Sequence, residues 1–142
     1  MLTNHLVYVG LCAMSGIGWT GIEFLILGEG RNQDVPVFVF VIVGAMSGLL
    51  VGLLMLPFYR AKSWIPTLLS APLALWLGVF FNFALFGFYN YHTPAVILSS
   101  AAYACIVLFT PYAALMLVAL VNGMLLRWIL SRLPSKDKPA SA

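Results

Sequence analysis

Within the stretch GWTGIEFLILGEG, Gly18 to Gly30, the apolar run up to Gly28 carries a single carboxylate, Glu23. A carboxylate in such surroundings can take up a proton, hold a cation or reach for a counter-charge. The chain has only three others, Glu29, Asp34 and Asp137. General acid–base or hydrolytic chemistry needs an acid or base with a positioned partner, and no paired Asp/Glu cluster is present. H-E-x-x-H, G-x-S-x-G and a glycine-rich phosphate loop before a lysine are also missing. The expectation is a protein that is not an enzyme.

Metal and cofactor chemistry fare no better. Cys12 and Cys105 stand alone inside apolar segments, without CxxC spacing or nearby histidines. Each reads as a small hydrophobe. His5 and His92 invite a haem, but they fall at opposite ends of apolar segments and so on opposite membrane faces, where they cannot share one iron. No metal and no cofactor is expected.

The elements that would carry these groups are membrane spans. The chain has 142 residues, 63% hydrophobic and 8% charged, with a mean hydropathy of +1.03. An average soluble domain carries about 25% charged residues, so most of this surface faces something other than water. A hydrocarbon core about 30 Å thick takes roughly 20 apolar helical residues. Four runs qualify, at about 6–27, 37–58, 65–88 and 96–130. The last outruns the bilayer by about 20 Å and should tilt, kink at Pro111 or carry its Arg127–Leu133 end into the interface. The first lacks a basic leader and a cleavage site, so it reads as a retained span. Residues 134–142 read as a disordered cytoplasmic tail. The fold class is thus an all-α integral membrane protein, four transmembrane helices in an antiparallel bundle.

Six of the seven basic side chains fall on one side of that map. Arg60 and Lys62 lie between spans two and three; Arg127, Arg132, Lys136 and Lys138 follow span four. The positive-inside rule puts both termini in the cytoplasm. The expected location is a bacterial cytoplasmic (inner) membrane. These cations sit at span ends and meet lipid headgroups and water; they form no patch for nucleic acid.

Lipid tails are as apolar as leucine, so small residues and interhelical hydrogen bonds hold such helices together. Gly44, Gly48 and Gly52 stack at i+4 spacing in span two, a helix-packing seam. In span one, Gly10, Ala13, Met14, Gly18 and Gly21 share a broad face that reads as a second groove, with Glu23, His5, Cys12 and Trp19 on the opposite side. The tetrapeptide AMSG occurs at Ala13–Gly16 and again at Ala45–Gly48. Four residues recur easily by chance in a Gly/Ala/Ser-rich chain, and antiparallel spans do not put the two groups on equivalent surfaces, so the match reads as coincidence.

Three polar groups at membrane depth are candidates for function. Glu23 sits about 6–8 Å inside the outer boundary if span one ends near Leu27. It either reaches outward to headgroups, water or Arg31, or faces a polar cavity as a protonatable or cation-binding group, or meets a partner subunit. Asn82 is near the middle of span three and Asn122 in the later part of span four. Each amide serves as interhelical glue or, with Glu23, as part of a sparse polar route across the bundle.

In organisation the chain is similar to the small four-span translocases of lipid-linked sugars of the GtrA-like kind. The matching residues are Val9-Gly10 in the first span and Asn122 followed by Arg127-Trp128 near the end of the fourth. It departs from that family where small and apolar residues replace first-span polar positions, and where span two ends LPFYRAKSW without the asparagine. The resemblance implies movement of a lipid-linked substrate and transfers no site. The first functional expectation is a non-enzymatic accessory or structural subunit, partnered by the lipid bilayer and by other membrane subunits or further copies of itself. The alternative is a small oligomeric transporter, flippase or channel using Glu23, Asn82 and Asn122.

Overall fold

The computed structural model describes residues 2–27, 36–109 and 114–132; the side chains of 2–5, 23, 24, 26 and 27 lie outside the description. Six helices and no strand occur among the described residues: α1 (Leu2–Leu27), α2 (Val37–Arg60), α3 (Ile65–Leu69), α4 (Ala71–Tyr91), α5 (Ala95–Leu108) and α6 (Leu115–Arg132). Three of them, α2, α4 and α6, are long and apolar enough to cross a membrane by length and composition. The shorter apolar helices are Leu6–Ile22, within α1, and α5.

Prolines explain where the helices divide. Run 65–88 is not one helix. Pro72 in the first turn of α4 has no N–H for the ladder, and the chain is re-seated at Ser70, whose Oγ donates to Thr67 O at 2.9 Å. Run 96–130 is likewise two helices. The chain leaves α5 at Phe109, whose N–H bonds back to Ile106 O at 3.0 Å, and resumes helical form at Leu115. Pro111 follows that exit closely, and its ring would clash with the carbonyl one turn earlier in a continued helix. Pro111 itself lies outside the described residues, as do Glu29, Arg31, Asp34 and the 134–142 tail. α4 ends at His92, which takes the left-handed conformation (φ 53°) and donates its N–H to Phe88 O at 3.0 Å.

Each helix buries a narrow stripe. On α1 it is Tyr8, Cys12, Gly16 and Thr20, at strict i+4 spacing. On α4 it is Ala71, Leu75, Gly78, Val79 and Asn82. On α6 it is Leu115, Ala119, Gly123 and Leu126. Helices α2 and α4 pack together and both meet α6; α1 lies along α2, and α5 lies along α4. Leu75, Val79, Ala104, Val107, Leu115 and Ala119 form one apolar cluster. Tyr8, Cys12, Met55, Tyr59 and Leu126 form a second. Outside these stripes large apolar side chains are exposed on every helix longer than one turn, among them Leu25, Phe38, Leu98 and Leu117.

Candidate functional site: a polar interior between helices

The α1–α2 contact is backbone on backbone. A Cβ placed on Gly16 would collide with the Gly44 carbonyl and stand 2.5 Å from Gly48 Cα. One on Gly48 would strike the Cys12 carbonyl and lie 2.6 Å from Gly16 Cα, and one on Gly52 would strike the Cys12 side chain. Along the antiparallel pair, Cys12 therefore faces Gly52, Gly16 faces Gly48 and Thr20 faces Gly44. The two AMSG tetrapeptides end in the glycines at the centre of this contact, Gly16 and Gly48. Tyr8 adds a polar tie, its hydroxyl donating to Gly52 O at 2.7 Å.

Close approach brings polar side chains to one point. Asn82 of α4 is 2% exposed. Its Oδ1 accepts from Thr20 Oγ1 of α1 at 2.9 Å and from Ser47 Oγ of α2 at 2.8 Å. Each hydroxyl also lies near a carbonyl of its own helix, Gly16 O at 2.9 Å and Gly44 O at 3.1 Å. A hydroxyl has one proton, so the two acceptors share it. Asn82 thereby joins three helices at a single amide. Bonds of this kind between apolar helices are each worth about 0.6 kcal/mol on average and up to about 1.7.

Beside this node lies a cavity of about 50 Å³ between α1, α2, α4 and α6. Its polar lining is Cys12, Ser15, Trp19, Ser47, Tyr59 and Asn122; glycines and alanines, with Val51 and Leu126, complete the wall. No lining residue is charged. Trp19 Nε1 is buried and has no hydrogen-bond partner among the described residues. It stands against Gly78, where an added Cβ would come within 3.0 Å of it.

A cation closes the other end of the assembly. Arg127 of α6 donates to the Ser63 carbonyl, to Lys62 O at 2.9 Å and to Thr67 Oγ1 at 3.2 Å. Thr67 in turn donates to Phe58 O at 3.2 Å. The planar guanidinium suits this several-acceptor grip better than an ammonium would. It fixes the end of α6 to the turn between α2 and α3, so Arg60, Lys62, Arg127 and Arg132 share one end of the bundle. There Arg132 stacks on Trp128, 5.3 Å from the ring centroid.

The expected site residues separate on this frame. Gly44, Gly48 and Gly52 lie at the α1–α2 contact. Gly10, Gly18 and Gly21 do not: nothing lies within 4 Å of a Cβ built on any of them. The inward glycine of α1 is Gly16 instead. The physical reason is polar. The stripe with Tyr8, Cys12 and Thr20 has groups that need partners, and turning it inward supplies Gly52 O and Asn82 to Tyr8 and Thr20. Asn82 sits in the three-helix node, and Asn122 lines the cavity. The Glu23 side chain lies outside the described residues; the register of α1 puts position 23 three residues beyond Thr20 and seven beyond Gly16. His5 is also outside as a side chain. Among the described residues no group of three or more His, Cys, Asp or Glu could hold a metal. Thr20, Ser47, Trp19 and Arg127, none of them among the site residues expected from the sequence, carry much of the polar structure. The signal for the first was the i+4 ladder from Tyr8 to Thr20. No family model matches the chain, and no characterised protein or solved structure does so either.

Proposed function

We propose that the chain is a small polytopic membrane protein that acts as a non-enzymatic accessory or structural subunit, docking to a neighbouring transmembrane helix through the outward face of α1. The observation that carries this is the division of its glycines. Gly16, Gly44, Gly48 and Gly52 are consumed inside the chain, while Gly10, Gly18 and Gly21, with Met14 at 68% exposure, remain open. Between apolar helices in lipid, a face of small residues is where another helix approaches most closely. The partner is another membrane subunit or a second copy.

Four crossings with both termini cytoplasmic agree with this arrangement, α3 and α4 forming the third and α5 and α6 the fourth. Support comes from the shared end of Arg60, Lys62, Arg127 and Arg132, which the positive-inside rule assigns to the cytoplasmic side; the membrane proposed is a bacterial inner membrane. Trp64 and Trp128 at that end, and Tyr89 and Tyr91 at the other, are all exposed, as interfacial aromatic belts require. Gly18→Leu tests the docking face. It should release the protein from its native complex in mild detergent while leaving the bundle folded, whereas an unchanged complex would refute the face.

A second reading, a small transporter or flippase, draws on the uncharged polar cavity beside Asn82 and Asn122. There Glu23→Gln should abolish proton-coupled flux into vesicles without altering assembly. Unchanged flux would remove Glu23 from that reading.

A further inference from the structure

The cavity between α1, α2, α4 and α6 combines three features. It has about 50 Å³ of space, a wall without charge, and a buried indole N–H with no acceptor among the described residues. Indole nitrogen only donates, and a buried donor without an acceptor is costly enough to be rare. We infer that the cavity is a binding site for water, holding about three molecules at about 15 Å³ each, with Trp19 Nε1–H as the anchoring donor. A buried water also needs two to four polar partners, and the wall supplies groups of that kind. Ser15, Ser47, Tyr59 and Asn122 offer hydroxyls and an amide, and Cys12 a weak thiol. The lining runs along α2 from Ser47 to Tyr59, about 18 Å of helix. Ser47 bonds Asn82, so the water would extend the three-helix node toward the Arg127 end. The site is independent of which partner the outer face of α1 meets.

The four indoles make the test internal to the full chain. The protein is labelled with ¹⁵N at tryptophan, placed in phospholipid nanodiscs, and magnetisation transfer from water to each indole proton is recorded. Trp76 Nε1 already donates to Cys105 Sγ at 3.3 Å and should show no water transfer. Trp64 and Trp128 are exposed and should show the rapid exchange of surface water. Trp19 should show transfer from long-lived bound water. Transfer at Trp19 equal to that at Trp76 would overturn the inference, and so would transfer indistinguishable from that at Trp64. Ala119→Leu extends a side chain into the cavity and should remove the Trp19 signal while the Trp76 resonance stays in place. A folded Ala119→Leu protein that keeps the full signal also contradicts the assignment. Should Ala119→Leu not fold, Gly78→Ala serves, since its Cβ would stand 3.0 Å from Nε1. It should weaken water transfer to Trp19 alone, and an unchanged signal there counts against the site.

Discussion

Gly16→Ala should unfold the bundle far more readily than Gly18→Ala, although the two positions lie half a turn apart on one helix. At Gly16 the new methyl would stand 2.5 Å from Gly48 Cα and 2.6 Å from Gly48 N, with the Gly44 carbonyl closer still. Carbon contacts are normally about 3.5 Å or more, so α1 and α2 must part by about 1 Å. All the obstructing atoms are backbone, which cannot swing aside as a side chain can. Overpacking of this kind costs about 1–3 kcal/mol. Parting also stretches the Thr20 bond to Asn82, worth about 0.6–1.7 kcal/mol. A combined loss of about 2–5 kcal/mol lowers the folded-to-unfolded ratio roughly 30- to 4,000-fold, at 1.4 kcal/mol per tenfold. At Gly18 nothing lies within 4 Å, and the gain in helix preference should stabilise by about 0.4–1 kcal/mol. Both variants are measured by reversible unfolding in mixed micelles of increasing denaturing-detergent fraction. If the two alanines agree within about 0.5 kcal/mol, or Gly18→Ala is the worse, the assignment of the inward face of α1 is wrong.

Further outcomes follow from the polar contacts. A double-mutant cycle between Thr20→Val and Asn82→Ala should give a coupling of about 0.6–1.7 kcal/mol in the same unfolding assay; zero coupling would remove the Thr20–Asn82 bond. Arg127→Gln should cost about 1 kcal/mol, a charge-assisted set discounted for partial exposure, and speed trypsin cleavage after Arg60 and Lys62. Unchanged cleavage would mean that Arg127 does not hold the α2–α3 turn. Gly48→Leu should disrupt the fold itself rather than assembly alone, because its added Cβ would meet the backbone of Cys12 and Gly16; a folded variant would contradict the contact.

The helical character and the apolar runs were legible in the sequence because composition and run length depend on few other facts. The i+4 glycines of α2 were visible for the same reason. The inward face of α1 was not. That helix carries small residues on both sides, and Gly10, Gly18 and Gly21 outnumber the single Gly16. What decides the matter is tertiary: Tyr8 finds Gly52 O and Thr20 finds Asn82 only when the other side turns inward. The divisions at Ser70 and Phe109 were only partly visible. Proline marks where a helix can break, but whether it kinks or splits depends on what the next segment packs against. Arg127 read as one cation among six at span ends. Its grip on the Lys62 and Ser63 carbonyls depends on α6 returning beside the α2–α3 turn, which no local pattern encodes.

The most direct measurement of the proposed role places a photo-activatable side chain at position 14, between Gly10 and Gly18, and separately at position 98. Met14 is 68% and Leu98 78% exposed, so neither probe disturbs the interior. After irradiation of native membranes, position 14 should yield a cross-link to a transmembrane segment of another subunit or of a second copy, and position 98 should yield lipid adducts. Lipid adducts alone at both positions would contradict a docking role for the outer face of α1.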